Sequence, residues 1–188
     1  MTESNQTELT AAQVFDIWAR LRPKDQARVQ WVMKNYGHTL AEALEELSLL
    51  ERIATHESGH VCAAIIYNIP IISVSITADT PHLHRGNYRA PADIGLECMA
   101  TLCLSGPAAE MFFCGPITDG SDEDDIAMAK DYLTRAGVNP LRIGVEFNRP
   151  RASAEALVRT PFARHRIPLI AAALLRHGTL TGDEIGAL

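Results

Sequence analysis

The chain has 188 residues, of which 47% are hydrophobic and 21% are charged, a composition typical of a globular domain. This composition excludes a disordered, collagen-like or disulfide-scaffold protein. The formal net charge of −6 argues against nonspecific binding of nucleic acid, which requires a positively charged surface.

The sequence favours a cytoplasmic protein. No apolar stretch reaches the roughly 20 residues that a membrane-spanning helix needs. The opening segment, MTESNQTELT, lacks the basic start and apolar centre of a signal peptide. The four cysteines contain no C-x-x-C pair, so we predict that they are reduced core residues: Cys62, Cys98, Cys103 and Cys114. Because the chain has no membrane-spanning stretch and a negative net charge, we expect no contact with a membrane or with nucleic acid.

Residues 1–49 are predicted to form short amphipathic helices that pack, as an N-terminal extension, on a single compact unit formed by residues 50–188. A first apolar stripe ends at Pro23, and a second ends at Gly37, where a left-handed C-terminal cap is usual. Trp18 and Trp31 belong to these stripes and are expected to pack internally. The alternative is that they join two copies of the chain in a homo-oligomer.

A long helix is predicted from Thr39 to Ile66. Thr39 and Glu42 have the spacing of a capping box, in which each side chain bonds the backbone N–H group of the other residue. The helix is expected to end before Pro70. Residues 72–76 then alternate between apolar and polar, as in a half-buried strand, and residues 82–89 are a candidate hairpin partner.

Further helices are predicted in the second half of the chain. One covers residues 94–105 and ends at Gly106, and a shorter one covers residues 107–114. An acidic loop then leads into a helix with Asp122 as its N-cap.

The final helices contain eight arginines and two glutamates between residues 135 and 177. We predict a solvated helix face there, with a partner-binding surface as the alternative. Thr181 and Glu184 form a second candidate capping box. The fold is therefore predicted to be mainly α, with one small β-hairpin.

One motif carries chemistry: residues 56–60 read His-Glu-Ser-Gly-His, an H-E-x-x-H inside the long helix. Residues four apart share a helix face, so the two imidazoles of His56 and His60 can converge on one metal ion. Hydrolytic zinc sites usually have three protein ligands. The spacing leaves the third ligand open among Glu110, His82, His84, Asp122, Asp124 and Asp125.

Three segments resemble the peptidase domain of the FtsH family of ATP-dependent zinc proteases. They are RIATHESGH at 52–60, LSGPAAE at 104–110, and Gly115 followed by DIAMA at 125–129. Residues 171–185 are similar to the end of that domain. The resemblance covers about residues 50–188. It implies a helical zincin-like fold with a small β-hairpin near the active-site helix.

The resemblance also implies the activity of a zinc metalloendopeptidase. It places the third zinc ligand on Asp125, or on Asp124 if the match is shifted by one residue. Glu110 is an alternative ligand, or a carboxylate that contacts the ligands without binding the metal. Glu57 would be the general base, which takes a proton from water and passes it to the leaving amine. Strand 72–76 would hold an extended peptide by main-chain pairing if it formed an edge of the cleft.

The chain departs from the family pattern. The phosphate-loop motif of an ATPase does not occur in the 188 residues. We therefore expect ATP-independent hydrolysis of peptides or unfolded proteins, with a separate unfoldase or adaptor as a possible partner. Ser58 replaces the usual Ala, Pro107 replaces a small polar or basic residue, and an acidic insertion precedes Asp125. The alternative function is a catalytically idle zinc-binding regulatory or interaction module with the same fold.

Overall fold

The computed structural model describes residues 26, 29–30, 33–34, 37–76, 87–88, 94–115 and 122–188. This part of the chain is mainly helical, as predicted. Its contacts divide the chain between Leu49 and Leu50 into two compact units. The predicted first helix with Trp18, the Trp31 side chain, and the histidines His82 and His84 lie outside the described residues. The packing of residues 1–49 on the rest of the chain stays a prediction.

The elements of the described residues follow one another in this order: α1 (Leu40–Ile66), β1 (Ile71–Ser75), β2 (Asn87–Tyr88), α2 (Leu96–Cys114), α3 (Glu123–Arg135), a 3-10 turn (Pro140–Arg142), α4 (Ile143–Glu146), α5 (Asn148–Val158), α6 (Pro161–His177), β3 (Thr179–Thr181) and α7 (Gly182–Ala187). None of the described helices is both long enough and apolar enough to cross a membrane.

The first unit contains a small cluster of apolar side chains. Val29 and Ala43 are buried in it, and further side chains pack against them: Met33, Leu40, Leu44 and Leu47. Gly37 has a φ of 71°, which confirms the predicted left-handed cap. The backbone N–H of Thr39 donates to Glu42 Oε2 at 2.7 Å, and the N–H of Glu42 donates to Thr39 Oγ1 at 3.3 Å. The predicted capping box is thereby confirmed.

The three strands of the second unit form one antiparallel sheet in the order β2-β1-β3. Ile71 of β1 lies opposite Tyr88 of β2, which confirms a hairpin partner in the predicted region. Val74 of β1 lies opposite Leu180 of β3. Strand β3 was not predicted because three residues are too few to show an alternating pattern. The structure places β1 in the centre of the sheet, so its predicted role as a peptide-binding edge strand is wrong.

Helix α2 lies at the centre of the second unit. It contacts α1 on one side and packs on α3 and α5 on another, and its residues from Met99 to Pro107 are all buried. The predicted break at Gly106 is wrong, because α2 continues through Pro107. Gly106 has no Cβ, which removes part of the clash that excludes residues before proline from helical geometry. Burial on several sides then favours one continuous helix.

The main hydrophobic cluster of the second unit joins α1, the sheet and α6. A second cluster joins α2, α3 and α5, and it includes Cys103, Leu133 and Ala154. All four cysteines are free, as predicted. Burial raises the pKa of the Cys62 and Cys103 thiols to about 12, which keeps them protonated.

Candidate metal centre

His56 and His60 lie on one face of α1, one helical turn apart. Their side chains are buried, with 8% of His56 and 7% of His60 exposed. The ring centroids are 4.9 Å apart, and the rings meet edge to face at 70°. The i, i+4 spacing therefore brings both imidazoles to the same side of the helix, as the sequence predicts.

Each imidazole is oriented through its Nδ1 atom. His56 Nδ1 lies 3.0 Å from Glu110 Oε2, and His60 Nδ1 lies 2.9 Å from the backbone carbonyl oxygen of Leu102. In a metal-bound site each ring would be neutral with its hydrogen on Nδ1, because both Nδ1 partners are acceptors. Each Nε2 then keeps its lone pair, which is the arrangement of histidines that ligate metals.

Asp125, in the first turn of α3, completes the group. Its Oδ2 lies 2.8 Å from His56 Nε2 and 3.4 Å from His60 Nε2. One donor atom from each of the three residues lies within 4.8 Å of the other two. Asp125 is buried whereas its neighbour Asp124 is exposed. The structure thus forms a buried group that could hold a metal ion from His56, His60 and Asp125.

Helix α3 presents Asp125 through its buried face. Asp125, Ala129 and Leu133 are the buried residues of this helix and recur every four residues, and the latter two pack in the second hydrophobic cluster. Asp122 stands at the predicted N-cap position, but the cap hydrogen bond expected from its carboxylate is not formed. Its backbone is helical, with φ −94° and ψ −4°, instead of the extended geometry that a capping side chain requires.

The charges of the site reinforce one another. Burial alone lowers the pKa of His56, but hydrogen bonds with Asp125 and Glu110 outweigh it and raise this pKa to about 10. Burial likewise opposes the charged form of His60, and Asp125 again reverses the direction and raises its pKa. Burial would raise the pKa of Asp125, but the two imidazoles hold it well below its usual range. The pocket therefore favours a positive charge between these three side chains.

Glu110 lies behind His56. It is 2% exposed, and its Oε1 accepts from Arg52 at 2.7 Å while Oε2 faces His56 Nδ1. Arg52 also donates to the carbonyl oxygen of Cys114 at 3.4 Å. Glu110 is therefore placed to orient a ligand histidine and is not in the group of three. Arg52 was not predicted to have a role, although its position four residues before His56 puts both on one face of α1.

Two glycines let α1 and α2 approach closely. A Cβ atom on Gly59 would overlap the carbonyl oxygen of Ser105 and lie 2.6 Å from Ala109 Cβ. A Cβ atom on Gly106 would overlap His60 Nε2 and lie 2.7 Å from His56 Cδ2. This role of Gly59 and Gly106 was not predicted, and the sequence signal for it is a glycine within a helical pattern.

Glu57 and Ser58 occupy the turn between the two histidines. Glu57 is 4% exposed, and its negative charge contributes to the raised pKa of both His56 and His60. Ser58 is fully buried, and its hydroxyl donates to the carbonyl oxygen of Ala54 at 2.6 Å. The Ser58 side chain is therefore satisfied within its own helix.

A groove of about 370 Å³ runs between α2, α3 and α5. Leu104, Pro107 and Ile126 contribute apolar surface to it. Its charged lining residues are of both signs: Arg151, Arg159, Asp122 and Glu155. Ile126 directly follows Asp125, and Pro107 directly follows the glycine that contacts the His60 ring. The groove shares α2 and α3 with the metal centre, although His56, His60 and Asp125 are not among its lining residues. Its volume is sufficient for a ligand side chain.

Comparison with known proteins assigns this chain to no family. No protein-family model matches it, and no curated protein matches it either.

Proposed function

We propose that this chain is a zinc-dependent metalloendopeptidase with the helical zincin-like fold of the FtsH peptidase domain that its motifs resemble. Its substrates would be peptides or unfolded proteins. The observation that carries the proposal is the convergence of His56 Nε2 and His60 Nε2 on Asp125 Oδ2, at 2.8 and 3.4 Å. Glu57 is buried in the same turn of the same helix.

The donor set suits zinc. Two imidazole nitrogens and one carboxylate oxygen are ligands that zinc accepts, and three protein ligands are typical of catalytic zinc sites. Ligand atoms about 2.0–2.1 Å from one tetrahedral zinc ion are roughly 3.3 Å apart. The two separations from Asp125 Oδ2, 2.8 and 3.4 Å, bracket that value. A structural zinc site would more often have four Cys or His ligands.

Zinc bound by these residues would supply a Lewis acid that polarises the substrate carbonyl and lowers the pKa of water. The Glu57 carboxylate would act as the general base. It would accept a proton from the attacking water at one of its oxygens and deliver that proton to the leaving amine nitrogen. Hydrolysis of a peptide bond needs both transfers, and one carboxylate beside the ligands can perform them in sequence.

The groove between α2, α3 and α5 supports a peptide substrate. Its apolar surface would receive an apolar side chain of the bound peptide, and this burial would add binding free energy. A groove of about 370 Å³ admits a short extended segment more readily than a folded domain. Folded proteins would therefore need a separate unfoldase or adaptor, whereas loose peptides would not. We place this activity in the cytoplasm, in keeping with the sequence prediction.

Glu57→Gln tests the proposal. We expect the variant to keep its zinc and to lose cleavage of an unfolded protein by about 10²–10⁴-fold, because an amide cannot act as a base. Mass spectrometry measures the zinc content, and release of peptides measures the cleavage. Glu97→Gln, at an exposed position on α2, is the matched control and should cleave like the wild type.

Two results would contradict the proposal. A zinc-loaded wild type that cleaves no unfolded protein or peptide would identify an idle zinc-binding module. Equal cleavage by the wild type and Glu57→Gln would show that the activity does not use Glu57.

A further inference from the structure

Arg52 lies on α1, one helical turn before His56, and its guanidinium reaches α2. Its Nη2 atom donates to Glu110 Oε1 at 2.7 Å, the short distance typical of a charge-assisted hydrogen bond. Its Nη1 atom donates to the backbone carbonyl oxygen of Cys114 at 3.4 Å. Cys114 is the last residue of α2, where carbonyl groups have no partner within the helix. One side chain of α1 therefore binds α2 at two points that are one turn apart.

The Glu110 carboxylate is held between Arg52 and His56. Its Oε1 accepts from the guanidinium, whereas its Oε2 lies 3.0 Å from His56 Nδ1. The last torsion of a glutamate side chain is intrinsically soft, so a hydrogen bond at one oxygen alone lets the carboxylate turn. Hydrogen bonds at both oxygens fix its plane. The direction of Oε2, and with it the direction of the His56 ring, therefore depends on the donor at Oε1.

The contact between Arg52 and Glu110 is shielded from water. The Glu110 side chain is 3% exposed, and that of Arg52 is 21% exposed. An exposed ion pair contributes little because water competes with it, whereas removing one partner of a buried pair has large effects. Loss of the guanidinium should therefore be felt by the carboxylate and by the imidazole that it contacts.

We propose that Arg52 is a positioning residue of the metal centre. Through Glu110 it fixes the His56 ring with Nε2 directed at the metal position. The guanidinium is always protonated and has only donors, so it ligates no metal itself. This inference rests on the metal site of the proposed function, and it does not require that the site cleaves peptides.

Arg52→Met tests the inference because it removes both hydrogen bonds and keeps an unbranched side chain. We expect zinc affinity, measured by competition with a chromophoric chelator, to fall by roughly 10-fold. The visible absorption bands of the protein loaded with cobalt in place of zinc should also shift, because they depend on the arrangement of the ligands. A role in folding alone would lower the urea midpoint of the metal-free protein and leave these bands unchanged.

A double-mutant cycle with Glu110→Gln shows whether Arg52 acts through Glu110. In the Glu110→Gln protein, Arg52→Met should lower zinc affinity by less than about 3-fold, because the carboxylate that transmits its effect is already absent. Additive effects of the two substitutions would overturn the inference. If Arg52→Met does not fold, Arg52→Gln takes its place in the cycle with the same expected results.

Arg142→Met is the matched control. Arg142 Nη2 lies 2.7 Å from Glu146 Oε1, the same separation as in the pair of Arg52 with Glu110, but this pair is exposed. The substitution changes the net charge by the same amount. It should leave both zinc affinity and the cobalt bands unchanged.

The results that would overturn the inference differ from those that would overturn the proposed function. Equal zinc affinity and equal cobalt bands in Arg52→Met and the wild type would overturn the role of Arg52 alone. An equal loss of affinity in Arg142→Met would overturn it as well, because net charge would then explain the effect. A wild type that binds neither zinc nor cobalt would overturn the proposed function, and the role of Arg52 with it.

Discussion

Gly106→Ala tests whether the close approach of α2 to α1 sets the geometry of the metal centre. The added Cβ would overlap His60 Nε2 and lie 2.6 Å from His60 Cε1 and 2.7 Å from His56 Cδ2. Ordinary contact begins at 3.4 Å, so these two ring atoms would move by about 0.7–0.8 Å. Metal sites hold their ligand distances within about 0.2 Å. We therefore expect zinc affinity to fall by at least about 100-fold.

The same substitution should change the stability of the metal-free protein much less. Overpacking a buried site costs about 1–3 kcal/mol. The usual helix preference of alanine over glycine, about 0.5–1 kcal/mol, does not offset this cost before Pro107, because the added Cβ restores the clash that Gly106 avoids. We therefore predict a net loss in the free energy of unfolding of about 1–3 kcal/mol. The fold should therefore survive, and the loss of zinc affinity cannot be ascribed to unfolding.

Two measurements separate these effects. Competition with a chromophoric chelator gives the zinc affinity, and urea unfolding in excess chelator gives the stability of the metal-free protein. Gly144→Ala is the matched control, because a Cβ at Gly144 in α4 would meet no atom within 4 Å. It should leave zinc affinity unchanged. Zinc binding by Gly106→Ala as tight as that of the wild type would show that the close approach of α2 to α1 does not set the geometry of the metal centre.

Three further predictions concern the surroundings of the site and the fold. Glu110→Gln should lower zinc affinity by about 10–100-fold, because the carboxylate that orients His56 loses its charge; an unchanged affinity in the chelator assay would contradict this role. At a free zinc concentration 100 times the Kd for zinc, removing the metal should lower the free energy of unfolding by about 2.7 kcal/mol. The corresponding fall in Tm, measured by calorimetry, is roughly 5–10 °C. An unchanged Tm would indicate that no metal is bound. Thr160→Ala should lower the free energy of unfolding by about 1 kcal/mol, because α6 loses the cap bond from the N–H of Ala163. Its zinc content should not change, and a loss of zinc would show that the centre depends on distant packing.

The features that the sequence predicts best are those set by local geometry. The spacing of His56 and His60 places both rings on one helix face whatever surrounds the helix. The capping box at Thr181 is equally local: its hydroxyl accepts from the N–H of Glu184, and the Glu184 carboxylate accepts from the N–H of Thr181. Both features follow from neighbouring residues alone, so the structure reproduces them.

The features that the sequence predicts poorly depend on packing between distant segments. His56 and Asp125 are 69 residues apart, and spacing alone leaves six candidates for the third position. The resemblance singles out Asp125, and the structure brings that carboxylate to the histidines. Pro107 predicts a helix break that burial of α2 overrides. The pairing of β3 with β1 joins residues more than 100 positions apart, and no local signal marks it.

The central claim is that His56, His60 and Asp125 hold one zinc ion. The most direct test is zinc stoichiometry by mass spectrometry, on protein purified without a metal-affinity column, for the wild type, Asp125→Ala and Asp124→Ala. We predict about one zinc per chain in the wild type and in Asp124→Ala, whose exposed side chain is outside the group, and much less in Asp125→Ala. Equal zinc in Asp125→Ala and the wild type, or no zinc in the wild type after incubation with the metal, would contradict the claim.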